Sequence, residues 1–180
     1  LDMEKLGNGG MHYEIANVQL NELLPQIVED NRSYAATFEA DLKLEAVDAG
    51  LYINVDKWRF NQVLSNFISN AIKFSPAGGT VKVRADQNGD YARISVSDNG
   101  IGISDEFRNR IFTKFAQADS STTREKSGTG LGLMISKQLV EQMDGRIGYT
   151  SEPNVETVFW VEFKLAAHEN EDGESIRKAG

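Results

Sequence analysis

Ser97-Asp98-Asn99-Gly100-Ile101-Gly102-Ile103 carries the first usable signal in this chain of 180 residues. The residues leading into it, Arg93-Ile94-Ser95-Val96-Ser97, alternate polar and apolar, the period-two mark of a half-buried strand. The strand then stops at a carboxylate and two glycines. Glycine permits positive φ and lets a ligand approach the backbone. Asp98 thus stands at a strand end, where α/β sheets tend to bind ligands. Asp-Asn-Gly is also a common turn sequence, so the stretch alone admits a plain turn as well as a site. The segments on either side decide between the two.

Upstream, Thr80 to Asp86 alternates as a strand, and Asn88-Gly89-Asp90 turns the chain so that Tyr91 to Ser97 pairs back as a hairpin. Before it lies the strongest helix, capped by Asp56. Phe60, Val63, Leu64, Phe67, Ile68, Ala71 and Ile72 follow the three-and-four spacing of a buried face. Asn66 and Asn70 lie four apart on another face, and Lys73 follows three later. Asparagine is a mediocre helix former, so two aligned copies are either surface decoration or a site. An amide oxygen is a hard ligand suited to Mg²⁺, and a lysine is a point charge for phosphate. Ser75-Pro76-Ala77-Gly78-Gly79 stops the helix.

Farther upstream, Tyr13 to Leu20 reads as a short strand. Asn21 is the expected cap of a helix to about Ala36, with Leu23, Leu24, Ile27 and Val28 as its stripe and Pro25 in its first turn. Leu42 to Val47 and Leu51 to Val55 are strands about a turn at Asp48-Ala49-Gly50. Residues 1–10 begin helix-like at Leu1, Met3 and Leu6, then meet Gly7-Asn8-Gly9-Gly10. They read as the last turn of a helix from a preceding domain, with His12 a surface residue behind it.

Downstream, Ser104 is the expected cap of a short helix through Phe107 and Ile111, and Phe112 and Phe115 lie three apart. From Ala116 to Ser127 the chain is polar without an apolar period, which marks disorder or a functional lid. Gly128-Thr129-Gly130-Leu131-Gly132-Leu133 then opens a helix with Ile135, Leu139, Val140 and Met143 as its stripe, ending at Gly145. The free amides of such a glycine loop suit a phosphate chain. It is neither a Walker A loop nor a Rossmann fingerprint, whose residues and context are missing. Arg146 to Ser151 and Val155 to Leu165 are the last strands, joined at Glu152-Pro153-Asn154. The segment after Ala167 is too polar to pack and reads as a disordered tail. The chain thus divides into 1–12, the end of a preceding helical segment and linker; 13–166, one domain; and 167–180, the tail.

Composition narrows the classes. The chain is 40% hydrophobic and 26% charged, values at which a soluble domain builds a core without staples. It has no cysteine, which removes disulfides, cysteine zinc sites and a thiol nucleophile. With 27 acidic and 19 basic residues its net charge is −8, against a general nucleic-acid surface. No apolar run reaches the roughly 18 residues of a membrane span. The first residue is Leu1 rather than Met, as in a piece cut from something longer.

Four segments stand in a fixed order: Asn66-x-x-x-Asn70-x-x-Lys73, Asp98-x-Gly100-x-Gly102, Phe112-x-x-Phe115 and Gly128-x-Gly130-x-Gly132. The ordered set resembles the ATP-binding catalytic domain of sensor histidine kinases, in the superfamily shared with gyrase and MutL. The family's names are the N box, first glycine box, F box and second glycine box. The resemblance runs from about Asn17 to Leu165, and Gln117 to Arg124 is most similar to the lid of hybrid-type kinases.

The resemblance implies a two-layer α/β sandwich, a mixed sheet of about five strands under three helices. It implies ATP and Mg²⁺ as ligands. By it, Asp98 accepts the adenine amino proton, and Gly100 and Gly102 shape the base pocket, with Ile103, Phe112 and Phe115 among the nucleotide-binding positions. Asn70 would hold Mg²⁺, with Asn66 and Lys73 near the phosphates. Gly128, Thr129, Gly130, Leu131 and Gly132 would frame the triphosphate, and Arg124 would be a lid charge for the γ-phosphate. Asn66, Lys73 and Arg124 are thus the catalytic candidates in a phosphoryl transfer.

The chain departs from the family in places. Relatives commonly have Arg-Lys-Tyr-Gly-Gly before the second glycine box; here Arg124-Glu125-Lys126-Ser127-Gly128 alters the lid. Lys114 stands where the F box often has Pro. The family's phosphoacceptor is a histidine followed by an acid and, a few residues on, a proline. Neither His12 nor His168 has that context, so the chain is expected to bind ATP without phosphorylating itself.

The expected partners are therefore ATP, a His-bearing dimerisation domain of the parent protein and, downstream, a response regulator receiver domain. The fragment is expected to be monomeric and to touch neither nucleic acid nor membrane. Its parent, membrane-anchored or not, would present this domain to the cytoplasm. Two rival readings remain open. Hydrolytic ATPases of the gyrase kind place a Glu four residues before the metal Asn, where this chain has Asn66. A non-catalytic nucleotide sensor or partner-binding module would keep the same fold.

Overall fold

The computed structural model describes residues 12–114, 130–169 and 175–176. Strand β1 (Ile15–Gln19) leads directly into helix α1 (Leu20–Thr37). Strands β2 (Asp41–Val47) and β3 (Tyr52–Asp56) precede helix α2 (Lys57–Phe74). The hairpin of β4 (Thr80–Asn88) and β5 (Tyr91–Asp98) follows, then a single turn, α3 (Asp105–Arg108). Helix α4 (Gly132–Gln142) leads to β6 (Arg146–Glu152) and β7 (Glu156–Lys164).

Five strands form one mixed sheet in the order β2-β4-β5-β7-β6. Only β2 and β4 run parallel, because β3 and α2 intervene and return the chain to the same end of the sheet. The remaining pairs are antiparallel. Strands β1 and β3 make a separate antiparallel ribbon, tied to the main sheet by a bridge from Ile53 to Leu165. This is the mixed five-stranded sheet under helices expected from the sequence.

Helices cover one face of the sheet. Val81, Val83 and Ala85 of β4, Ala92, Ile94 and Val96 of β5, and Phe159, Val161 and Phe163 of β7 are buried against them. The stripe expected of α2 is buried throughout, and Phe60 and Phe67 meet Phe163 and Phe159 at ring separations of 5.8 and 5.5 Å. Such rings bury large apolar areas and pin the helix over the middle of the sheet. Asp56 caps α2 as expected: its Oδ1 accepts from the N–H groups of Trp58 and Arg59, both at 3.0 Å.

Two local expectations at α1 are corrected. Asn21 is not the cap; Gln19 holds that position and the helix starts two residues earlier than expected, with the Leu20 N–H bonded to the Leu51 carbonyl of the ribbon at 3.0 Å. Pro25 consequently sits past the first turn, inside the helix, on its exposed side. Its missing N–H leaves the carbonyl of Asn21, an exposed residue, without a helical partner. At α4 the buried side is Met134, Ser136, Leu139 and Val140, with Ile135 only half-buried.

In the stretch expected to be a tail, the chain stays attached through its first residues. Just before it the Ala166 N–H bonds to the Tyr52 carbonyl at 2.8 Å, and within it Asn17 Nδ2 donates to the Ala167 carbonyl at 3.0 Å. The His168 ring stacks on Tyr52 at 4.6 Å, and short strands β8 (His168–Glu169) and β9 (Ser175–Ile176) pair. The helical start expected before Met11 lies outside the described residues.

The other face of the sheet is polar but not loose. Glu162 is buried there, accepting from Asn88 Nδ2 at 2.6 Å and from Arg93, whose guanidinium also lies 4.2 Å over the Trp160 ring. Replacing Arg93 by Met leaves a buried carboxylate short of its cation. We expect a loss of about 1–3 kcal/mol in urea unfolding, and an unchanged midpoint would show the pair to be dispensable.

Candidate functional site

Period two along β5 puts Ala92, Ile94, Val96 and Asp98 on one side of the strand. That side faces the helices, so Asp98 ends an apolar row and is 5% exposed. The Gly100 N–H donates to its Oδ1 at 2.8 Å. Burial raises the Asp98 pKa, the Gly100 hydrogen bond works against this, and nearby Glu156 adds to it, leaving the carboxyl at about 6.

Gly100 is glycine for a steric reason. A Cβ there would stand 2.2 Å from the Phe74 carbonyl oxygen, so the last turn of α2 and this loop are in backbone contact. Gly102 lies against Pro153 of the β6–β7 loop. Ile103 is buried, and its N–H donates to Ser151 Oγ at 3.0 Å. Ser151 Oγ is 2.9 Å from Thr157 Oγ1, and Thr157 is buried directly opposite Asp98 in the β5–β7 register.

Asn66, Asn70 and Phe74 follow at four-residue intervals along one stripe of α2. The two ends of that stripe touch different loops. The Phe74 carbonyl meets Gly100, whereas Asn66 meets the start of α4: its Nδ2 donates to Ser136 Oγ at 3.0 Å, and its Oδ1 lies where a Cβ on Gly132 would be 2.3 Å away. Asn70 is half-buried between these ends, and Lys73 is half-buried on the last turn. Gly130, Leu131 and Gly132 are half-buried at the entry to α4. Helix α2 therefore joins the two glycine loops, one at each end of the stripe.

Phe112 is half-buried, edge-on to Tyr149 at 6.0 Å, with Lys137 Nζ 5.9 Å from its ring centre. Lys114 is exposed. Phe115, Arg124, Glu125, Ser127, Gly128 and Thr129 lie outside the described residues. The described residues contain no group of three or more His, Cys, Asp or Glu side chains able to hold a metal ion. A cation here would depend on the amide oxygen of Asn70 and on oxygens brought by a ligand.

The family model described as "Histidine kinase-, DNA gyrase B-, and HSP90-like ATPase" matches residues 55–167, well over half of the chain. The chain belongs to this family. Sensor protein GacS of Pseudomonas syringae pv. syringae is 38% identical over 186 residues, taking in 98% of this chain and 20% of that protein. Signal transduction histidine-protein kinase BarA of Escherichia coli K12 is 34% identical over 176 residues, with 94% of this chain and 19% of that protein covered. The chain thus spans about a fifth of the length of these relatives. The crystal structure of full-length ShkA in complex with AMPPNP matches with a TM-score of 0.77 at 33% identity, over 92% of this chain and 34% of that one. The nucleotide-free catalytic domain of histidine kinase ThkA matches at 0.71 and 27% identity, over 84% of this chain and 96% of that one. The chain is a catalytic domain of the histidine-kinase type.

Sequence reasoning missed four contributors to the site of this catalytic domain. Thr157 and Ser151 are ordinary strand residues by pattern, and only strand register brings them to Asp98. The Phe74 contact is made by a backbone atom, which no residue type announces. Ser136 did leave a signal: with Leu139 and Val140 it lies on the buried stripe of α4, where a hydroxyl needs a partner.

A buried carboxylate with a raised pKa weakens the ligand-free fold. The penalty on the folded state is full above about pH 6, shrinks as the pH falls from there toward the ordinary carboxylate value of 3.8, and is gone below it, where the group is protonated in both states. Asp98→Asn should therefore raise the unfolding free energy at pH 7 by roughly 1–3 kcal/mol, by about half as much at pH 5, and by little near pH 3.5. A pH-independent difference between the two proteins would refute this account.

Proposed function

We propose that this catalytic domain binds ATP with Mg²⁺ and passes the γ-phosphate to a histidine on a separate dimerisation domain of its parent protein. A response regulator receiver domain would then take the phosphate from that histidine. The observation carrying the reading is the buried Asp98 carboxylate, with one oxygen bonded to the Gly100 N–H. Its remaining acceptor capacity matches the exocyclic amino group of adenine. A guanine would set its own carbonyl oxygen against the carboxylate, acceptor against acceptor.

The adenine then lies at the Phe74 end of the α2 stripe and the phosphates toward Gly132. From Asn66 to Phe74 the helix rises about 12 Å, which leaves Asn70 midway along an extended nucleotide. Asn70 is the residue we assign to Mg²⁺, with Asn66 and Lys73 flanking the phosphates. One hard amide oxygen without a carboxylate cage suits an ion that takes most of its shell from phosphate and water. Bound there, Mg²⁺ would neutralise charge on the transferring phosphoryl group. Gly130, Leu131 and Gly132, with Thr129 before them, offer backbone amides at the positive end of α4, and Arg124 would supply a further positive charge at the γ-phosphate. Ile103, Phe112 and Phe115 would close the apolar side of the base pocket.

Transfer is favoured over hydrolysis. The side chain one turn before Asn70 is Asn66, a neutral amide already engaged by Ser136, and an amide is no general base for water. The acceptor histidine lies elsewhere: His168 is stacked on Tyr52, and His12 is exposed ahead of β1. We assign the domain to the cytoplasmic side of its parent, as a monomer on its own. Among the described residues no helix is long and apolar enough to cross a membrane.

Calorimetry with AMPPNP and Mg²⁺ tests the assignment. The native chain should bind, Asp98→Ala should lose about 10- to 100-fold in affinity, and the guanine analogue should bind far more weakly. No binding by a folded native chain would overturn the nucleotide site. Adding the parent's His-bearing helices and labelled ATP should label those helices, and binding without labelling would overturn the transfer step.

A further inference from the structure

We propose that Ser136 is a positioning residue for the triphosphate end of the site, acting through Asn66. The inference rests on the nucleotide reading above and adds a residue to it. Ser136 is 2% exposed and lies on α4 one turn past Gly132. Its Oγ accepts from Asn66 Nδ2 at 3.0 Å, which among the described residues is the side-chain hydrogen bond joining α2 to α4.

The amide of Asn66 is bonded on one side and crowded on the other. Its nitrogen is turned to Ser136, and its oxygen is turned to Gly132, so close that a Cβ on that glycine would be 2.3 Å away. Gly132 opens α4, where the first-turn N–H groups lack helical partners and carry partial positive charge. An amide oxygen facing that end and a nitrogen facing a hydroxyl is the electrostatically favoured setting of the side chain.

The consequence reaches beyond Asn66. Asn70 belongs to α2, whereas Gly130, Leu131 and the α4 amides belong to the second glycine loop. Their spacing fixes how a phosphate chain can touch both at once. Apolar packing holds the helices together but is tolerant of small slides. A directional bond between Asn66 and Ser136 is not, because it weakens steeply with angle. Ser136 therefore sets the register of the loop against Asn70 without touching the nucleotide. The adenine end, at Asp98 and Gly100, lies at the far end of the α2 stripe and does not depend on it.

This makes a split prediction. Ser136→Ala should lose about 2- to 10-fold in affinity for AMPPNP with Mg²⁺, as for one hydrogen bond, while adenosine affinity followed by NMR stays within about twofold. Ser136→Cys keeps the volume with a poor acceptor and should behave like the alanine variant, which guards against a packing effect; Ser136→Thr, if folded, should recover the native ratio. In an Asn66→Ala background, Ser136→Ala should add nothing. Equal losses for adenosine and AMPPNP would mean a merely structural serine and overturn the proposal. So would an undiminished Ser136 effect without Asn66, or no effect in an otherwise binding-competent chain. Failure of the native chain to bind either ligand would instead overturn the nucleotide reading and this inference with it.

Discussion

The Phe74 carbonyl and the α-carbon of Gly100 approach so closely that no side chain fits between them. That backbone contact locks the end of α2 onto the loop leaving β5. It also determines what Asp98 can be. The loop folds back over the carboxylate and offers it the Gly100 N–H, while the rest of the pocket withholds water. A larger residue at position 100 would push the helix and loop apart and open Asp98 to solvent, where a carboxylate discriminates little between hydrogen-bond donors.

Helix α2 does the rest of the arranging. Its apolar stripe is anchored over the sheet by Phe60 and Phe67, and its start is fixed by Asp56. Burial pushes the Asp56 pKa up, yet the bonds from the N–H groups of Arg59, Glu14 and Trp58, with the Arg59 charge, outweigh it and hold the carboxyl below its usual range. With both ends and one face secured, the stripe of Asn66, Asn70 and the Phe74 carbonyl is a rigid rule between two glycine loops. Rigidity matters because phosphoryl transfer relies mainly on positioning and charge placement.

The two buried carboxylates of the sheet show opposite choices. Glu162 on the open face is fully partnered by Arg93 and Asn88 and serves the fold. Asp98 on the helical face is buried with one backbone donor, and its raised pKa records the cost. A charge kept where it weakens the fold is the usual signature of a group held ready for a ligand.

Much of this was legible along the chain. Three-and-four spacing from Phe60 to Ile72 located α2 and its buried face, since burial on a helix repeats every 3.6 residues. Strand alternation located β4 and β5 and, carried one step further, put Asp98 on the core side. The start of α1 was not legible, because Leu20 is bonded by Leu51 of a ribbon that only the folded chain assembles. The sequence by itself determined α2, the strands of the main sheet and the residue types of the site, because periodicity and glycine or asparagine chemistry are local. Only the tertiary structure decided which atoms meet: Phe74 with Gly100, Asn66 with Ser136, and Asp98 opposite Thr157. Those meetings depend on strand register and helix docking, long-range contacts that no local pattern encodes.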